Sequence, residues 1–150
     1  MGYRDKDKEK LNRVNYMSTE HGWLTVKYND LKKTWKRKPH REEFKDVLTK
    51  EEFLKAWEEH KEQHGWNCYY TGAPMTIGRR LSENGIHNPN PADPSKMSID
   101  RFDSNKGYAK DNIVFCCWGF NNRKGRVTLE DCKIIITKAE GRKNNELLGV

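Results

Sequence analysis

Two short apolar runs, placed close together in the second half of the chain, constrain its fold more than any other feature. Met97-Ser98-Ile99-Asp100-Arg101 and Asn112-Ile113-Val114-Phe115-Cys116-Cys117 are too short for stable helices and rich in β-branched and aromatic side chains. They read as two strands. Between them lies a polar loop, 102–111, with Gly107 at its turn. A helix is expected at once after the second strand, with Gly119, Phe120, Asn121, Asn122, Arg123 and Lys124 in its first turns. This strand, loop, strand, helix unit carries an acid, Asp100, on one arm and an amide, Asn121, on the other. An Asn near the helix start then faces the end of the first strand.

The strongest helix signal lies upstream. Thr49 followed by Glu52 is a capping box, Phe53, Ala56, Trp57, His60 and His64 share one helical stripe, and Gly65 is a stop. His60 and His64 stand four apart, as metal ligands on a helix do, but the context of such motifs is absent and the stripe reads as packing surface. From Trp23 to Lys38, Leu24, Tyr28, Leu31 and Trp35 recur near helical spacing, and Pro39 ends the pattern. Residues 1–20 alternate charges with few large apolar side chains, which suits a frayed arm or a marginal helix. The stretch 66–96 is rich in turn residues, with a short strand expected over 67–70. Thr128 and Asp131 cap a last helix carrying Leu129, Cys132, Ile135 and Ile136. The expected organisation is a basic, partly helical amino-terminal arm over 1–48, serving DNA contacts or packing, a central domain over 49–137 and a polar tail over 138–150.

Hydrophobic and charged residues each make up 34% of the 150 residues, so the core must be thin. Thin cores lean on a metal, a partner or a second copy of the chain, and a homodimer is one such solution. A net charge of +7 and a pI of about 9.2 favour a polyanionic partner. Lys36 and Arg37, in a basic cluster around Trp35, and Arg79 and Arg80 in the turn-rich stretch have the composition of phosphate contacts. No stretch has the apolar length of a membrane span, and the start of the sequence lacks a signal-like apolar run, so a cytoplasmic protein is expected. Adjacent Cys116 and Cys117, with Cys68 and Cys132, then read as reduced thiols without a disulfide.

The segment SIDRFDSNKGYAKDNIVFCCWGFNNRKG, preceded by Trp66-Asn67-Cys68-Tyr69-Tyr70-Thr71-Gly72, resembles the HNH (ββα-metal) endonuclease family. The likeness is to the branch common in phages and some restriction enzymes. Arg101 to Asn112 spans eleven positions (112 − 101) and Asn112 to Asn121 nine (121 − 112), which is the register of that branch. The likeness covers about residues 66–137. It implies an α+β fold with a ββα-metal core, flanked by a helical amino-terminal region and a carboxy-terminal helix. It also implies an enzyme that hydrolyses phosphodiester bonds in double-stranded DNA with Mg²⁺ or another divalent ion such as Mn²⁺. Asp100 and Asn121 are the implied metal ligands, hard oxygen donors few enough to leave room for water and phosphate. Asn112 is implied to pin the loop, which Gly107 and Tyr108 shape. Lys106, Arg123, Lys124 and Arg126 surround the implied site with the positive charge a phosphodiester needs.

Two departures from the family pattern stand out. Where the family carries its general-base histidine after the acid, this chain has Arg101, which stays protonated and suits a phosphate clamp instead. Water activation then falls to Tyr70, to His87 or to solvent at the metal. Both Cys-x-x-Cys pairs that hold a structural zinc in many relatives are broken, because Thr71 follows Cys68 and Phe120 follows Cys117 at the ligand spacing. No structural zinc is expected. The alternative reading of the chain is an HNH scaffold that holds DNA and cuts it weakly or not at all.

Overall fold

The computed structural model describes residues 5–36, 47–77 and 93–147. Five helices and one two-stranded sheet are present among them: α1 (Lys6–Met17), α2 (Glu20–Lys36), α3 (Lys50–His64), β1 (Met97–Arg101), β2 (Ile113–Cys117), α4 (Trp118–Lys124) and α5 (Leu129–Leu147). The chain is α+β. No helix among the described residues is long and apolar enough to cross a membrane.

The capping box forms as the sequence requires. The Glu52 amide donates to Thr49 Oγ1 at 3.2 Å and the Thr49 amide to Glu52 Oε2 at 2.8 Å. Gly65 closes α3 at φ 61°, a conformation that side chains with a Cβ rarely adopt, and its amide caps the Lys61 carbonyl. The buried stripe of α3 is Phe53, Trp57 and His60. His60 is a core residue. Its ring stacks on Trp57 with centroids 5.4 Å apart, and its Nε2 lies 2.9 Å from the Asn67 carbonyl.

The amino-terminal helices belong to this core. Trp23, Leu24, Tyr28 and Leu31 of α2 are buried in one cluster with Phe53, Trp57 and Phe115. Glu20 ties α2 to α3, accepting from Trp57 Nε1 at 2.6 Å and Lys61 Nζ at 2.7 Å on one carboxylate oxygen. Trp23, Leu24, Tyr28 and Leu31 therefore pack, because their apolar stripe needs a partner. The charged stretch before them is helical as α1, whose first amides are capped by Asp5.

The two strands pair antiparallel in the register Met97↔Cys117, Ile99↔Phe115 and Arg101↔Ile113. Alternation then divides the side chains between two faces. Phe115 meets Phe53 and Trp57 of α3, with centroids 5.6 and 5.0 Å apart. Ser98 and Asp100 face α4 on the opposite side. Every residue of β2 is buried, as expected of a strand covered on both faces.

Two expectations need correction. Residues 67–70 form no strand, only an isolated bridge, Asn67↔Pro74, that closes a tight turn. Pro74 has no amide to extend the ladder, and Gly72 at φ 71° bends the chain. The polar tail expected from residue 138 is helical to Leu147, since Lys138, Ala139, Glu140, Arg142 and Lys143 are good helix formers. This helix leaves Leu129, Ile134, Ile135 and Ile136 exposed.

Candidate functional site

Three elements converge where β1 ends. The turn after α3 is fixed to β2 by the Tyr69 amide, which donates to the Phe115 carbonyl at 3.0 Å and so lays Tyr70 over the sheet. Helix α4 starts directly from β2. It is held close to the segment before β1 by the Gly119 amide, 3.0 Å from the Pro94 carbonyl. A Cβ at residue 119 would stand 2.6 Å from that of Pro94, so this approach requires glycine.

Asn121 projects from α4 onto β1. Its Nδ2 donates to Ser98 Oγ at 2.9 Å and to the Ile99 carbonyl at 3.3 Å. A carbonyl can only accept, so the amide nitrogen faces the strand and Oδ1 is turned away from it. Asp100 is gripped at a single oxygen. Tyr70 donates its hydroxyl proton to Oδ2 at 2.7 Å, and Lys124 Nζ lies 2.7 Å from the same atom. Among the described residues nothing bonds the other carboxylate oxygen. Asp100 and Asn121 line one recess of about 290 Å³, together with Ser98, Arg101, Tyr108 and Asn122.

These two oxygens are what the site offers a metal. Their number suits a hard divalent ion that keeps several waters and takes phosphate oxygens. No group of three or more His, Cys, Asp or Glu side chains with metal-binding geometry occurs among the described residues. Asp100 and Asn121 are the residues that could hold such an ion, with its remaining positions left to water and phosphate.

Arg101 points to the other face of β1 but lines the same recess. Its guanidinium lies 5.5 Å over the Tyr108 ring, and Nη1 donates to the Lys106 carbonyl at 3.3 Å. The loop that carries Lys106 and Tyr108 is closed by Asn112. Its Oδ1 accepts from the Asp103 amide at 2.8 Å, and its Nδ2 donates to the carbonyls of Asp103 and Gly107 at 3.0 and 2.8 Å. Gly107 is buried here without a positive φ, so the loop makes no left-handed turn at this residue.

No protein-family model, curated protein or solved structure matches this chain.

The remaining candidates divide sharply. Tyr70 does not have the character of a base: burial first, then the hydrogen bond to Asp100 and its charge, hold its phenol protonated well above the ordinary range. It anchors the carboxylate instead. Lys124, expected as a surface cation near DNA, is buried with a side chain 3% exposed. Arg123 and Arg126 on either side of it are exposed, as is Lys106. Lys36 ends α2, while Arg37, Arg79, Arg80 and His87 lie outside the described residues.

Ser98 went unmarked in the sequence. The signal was present in the alternation of β1, which places residue 98 on the face of residue 100.

The cysteines are free thiols. Cys68 Sγ accepts from the Cys117 amide at 3.2 Å beneath the sheet. Burial first, with Cys68 beside it, pushes the Cys117 thiol up to about 11. Cys117 therefore lacks the environment of a reactive thiolate and serves as packing.

Proposed function

We propose that this chain is a metal-dependent endonuclease of the HNH type, with a ββα-metal core, that hydrolyses phosphodiester bonds in double-stranded DNA. The observation that carries the reading is the recess at the end of β1. There Asp100 and Asn121, on adjacent elements, each present an oxygen that no described residue bonds.

A divalent cation such as Mg²⁺ supplies Lewis-acid stabilisation of the charge that develops on the phosphate and the leaving oxygen. The chain's own residues do the rest. Asp100 and Asn121 hold the ion. Arg101, always protonated, clamps a phosphate oxygen at the edge of the same recess, where charge grows in the transition state. Tyr70 keeps Asp100 in place. Asn112 fixes the loop that supports Arg101, and Lys106, Arg123 and Arg126 steer the backbone of the duplex. With Tyr70 committed as a donor, the proton of the attacking water goes to solvent or to His87.

The phage-type branch of the family and a cytoplasmic site of action are part of this proposal. A homodimer would present two recesses, one for each strand. A second reading, an HNH scaffold that binds DNA without cutting, draws on one observation: the acid is already paired with Lys124 at 2.7 Å.

Supercoiled plasmid separates the two. The nuclease reading requires nicked or linear product with Mg²⁺ and none after chelation, with single-stranded DNA and RNA as comparison substrates. Duplex binding without any product under Mg²⁺ or Mn²⁺ would select the scaffold.

A further inference from the structure

A buried cation stands beside the proposed metal ligand, and the chemistry proposed above gives it no task. Lys124 leaves α4 one helical turn after Asn121, and its Nζ reaches Asp100 Oδ2 beneath the sheet, with side chains 3% and 9% exposed. The contact is one of charge rather than direction: among the described residues the ammonium makes no aligned hydrogen bond, although it is 2.7 Å from the carboxylate. It also lies 5.5 Å over the Tyr70 ring. Tyr70 and Lys124 thus take the same carboxylate oxygen, and Asp100 is among the residues that line the recess.

Charge then decides what the free recess can hold. Asp100 contributes −1, Lys124 behind it +1 and Arg101 at its edge +1, a sum of +1 before any metal arrives. A divalent cation bound to Asp100 would meet repulsion from both basic groups, which weakens the net attraction of the one carboxylate. A phosphate diester adds the missing negative charge.

We infer that Lys124 is a resident counter-ion of Asp100 which makes divalent-metal binding conditional on the substrate phosphate. This inference rests on the nuclease reading of the same recess. It assigns Lys124 as a positioning residue and fixes the order of assembly: the free protein holds metal weakly, and the DNA backbone brings the ion in. A purely structural ion pair would behave otherwise. Its loss would lower stability and leave metal affinity where it was.

The test is Mn²⁺ binding to the full chain without DNA, followed by the loss of the free-ion electron paramagnetic resonance signal. The parent should bind weakly. Lys124→Met and Lys124→Gln, the second keeping a neutral donor near the carboxylate, should each bind at least about tenfold more tightly, because the nearest positive charge is gone. Adding Asp100→Asn should return either variant to the parental value. Tyr70→Phe removes a hydrogen bond but no charge, and should show no gain.

A parent that binds Mn²⁺ as tightly as the Lys124 variants overturns the inference. So does a gain that survives Asp100→Asn, or an equal gain in Tyr70→Phe. Plasmid cleavage by the same parental preparation distinguishes the failures. A parent that cuts, with Lys124 variants that gain nothing, refutes the counter-ion alone. A parent that does not cut, with variants that bind no Mn²⁺ at Asp100, refutes the nuclease reading and this inference together.

Discussion

Replacing Asn112 by alanine removes three hydrogen bonds at once and should destabilise the fold by about 3 kcal/mol, at about 1 kcal/mol net for each. The residue is 4% exposed, so water has little access to the groups left behind, and the bond to the Gly107 carbonyl is itself buried. Unpaired buried carbonyls push the cost toward the upper end of about 2–4 kcal/mol. Asn112→Asp should be worse than alanine. It places an oxygen against the two carbonyls, of Asp103 and Gly107, that now accept from Nδ2. Urea unfolding followed by tryptophan fluorescence gives the difference directly, provided the denaturant slope is unchanged. A loss below about 1 kcal/mol for alanine, or an aspartate variant as stable as the parent, would refute the reasoning, since each bond is assigned about 1 kcal/mol.

Two further outcomes follow from the geometry. Burial first, and the nearby His64, hold the His60 imidazole below its ordinary value against the opposing hydrogen bond to Asn67. Its folded pKa is therefore the lower one, so its contribution is complete above about 6.5 and is lost as pH falls through the folded value. Melting temperature should drop between pH 7 and pH 5 less steeply in His60→Gln than in the parent, and equal slopes would contradict this. Arg123 and Arg126 are exposed and each follows directly on a residue that lines the recess, Asn122 and Gly125, so changing both to alanine should weaken the salt dependence of duplex binding. The slope of log affinity against log salt should fall by about 0.9 for each phosphate no longer neutralised. An unchanged slope would assign both to solvated surface.

The parts of the fold that could be read in the sequence were those encoded by local chemistry. Thr49, Glu52 and Gly65 set both ends of α3 through their own hydrogen bonds and backbone angles. The apolar runs of β1 and β2, joined directly to α4, left little choice of pairing. What could not be read depended on distance in space. Aromatics at 69 and 70 suggested a strand, but Pro74 and Gly72 turned that segment into a platform for Tyr70. Lys124 sits in a basic run and looks like surface. Only the packing of α4 on β1 brings its ammonium beneath Asp100, thirty residues away from the Tyr70 that shares it. Glu20 likewise joins Trp57 and Lys61 across 37 and 41 residues, a link with no local signature.

If Asp100 and Asn121 form the metal site of a nuclease, cleavage of supercoiled plasmid must depend on both, and Asp100→Ala and Asn121→Ala decide the matter. With Mg²⁺ present, both variants should give no nicked or linear product over a time in which the parent converts the plasmid. Duplex affinity, which rests on the surrounding basic residues, should hold or rise in Asp100→Ala as a negative charge is removed. Cleavage by both variants at the parental rate, with contaminating nuclease excluded, would contradict the assignment of this recess as the active site.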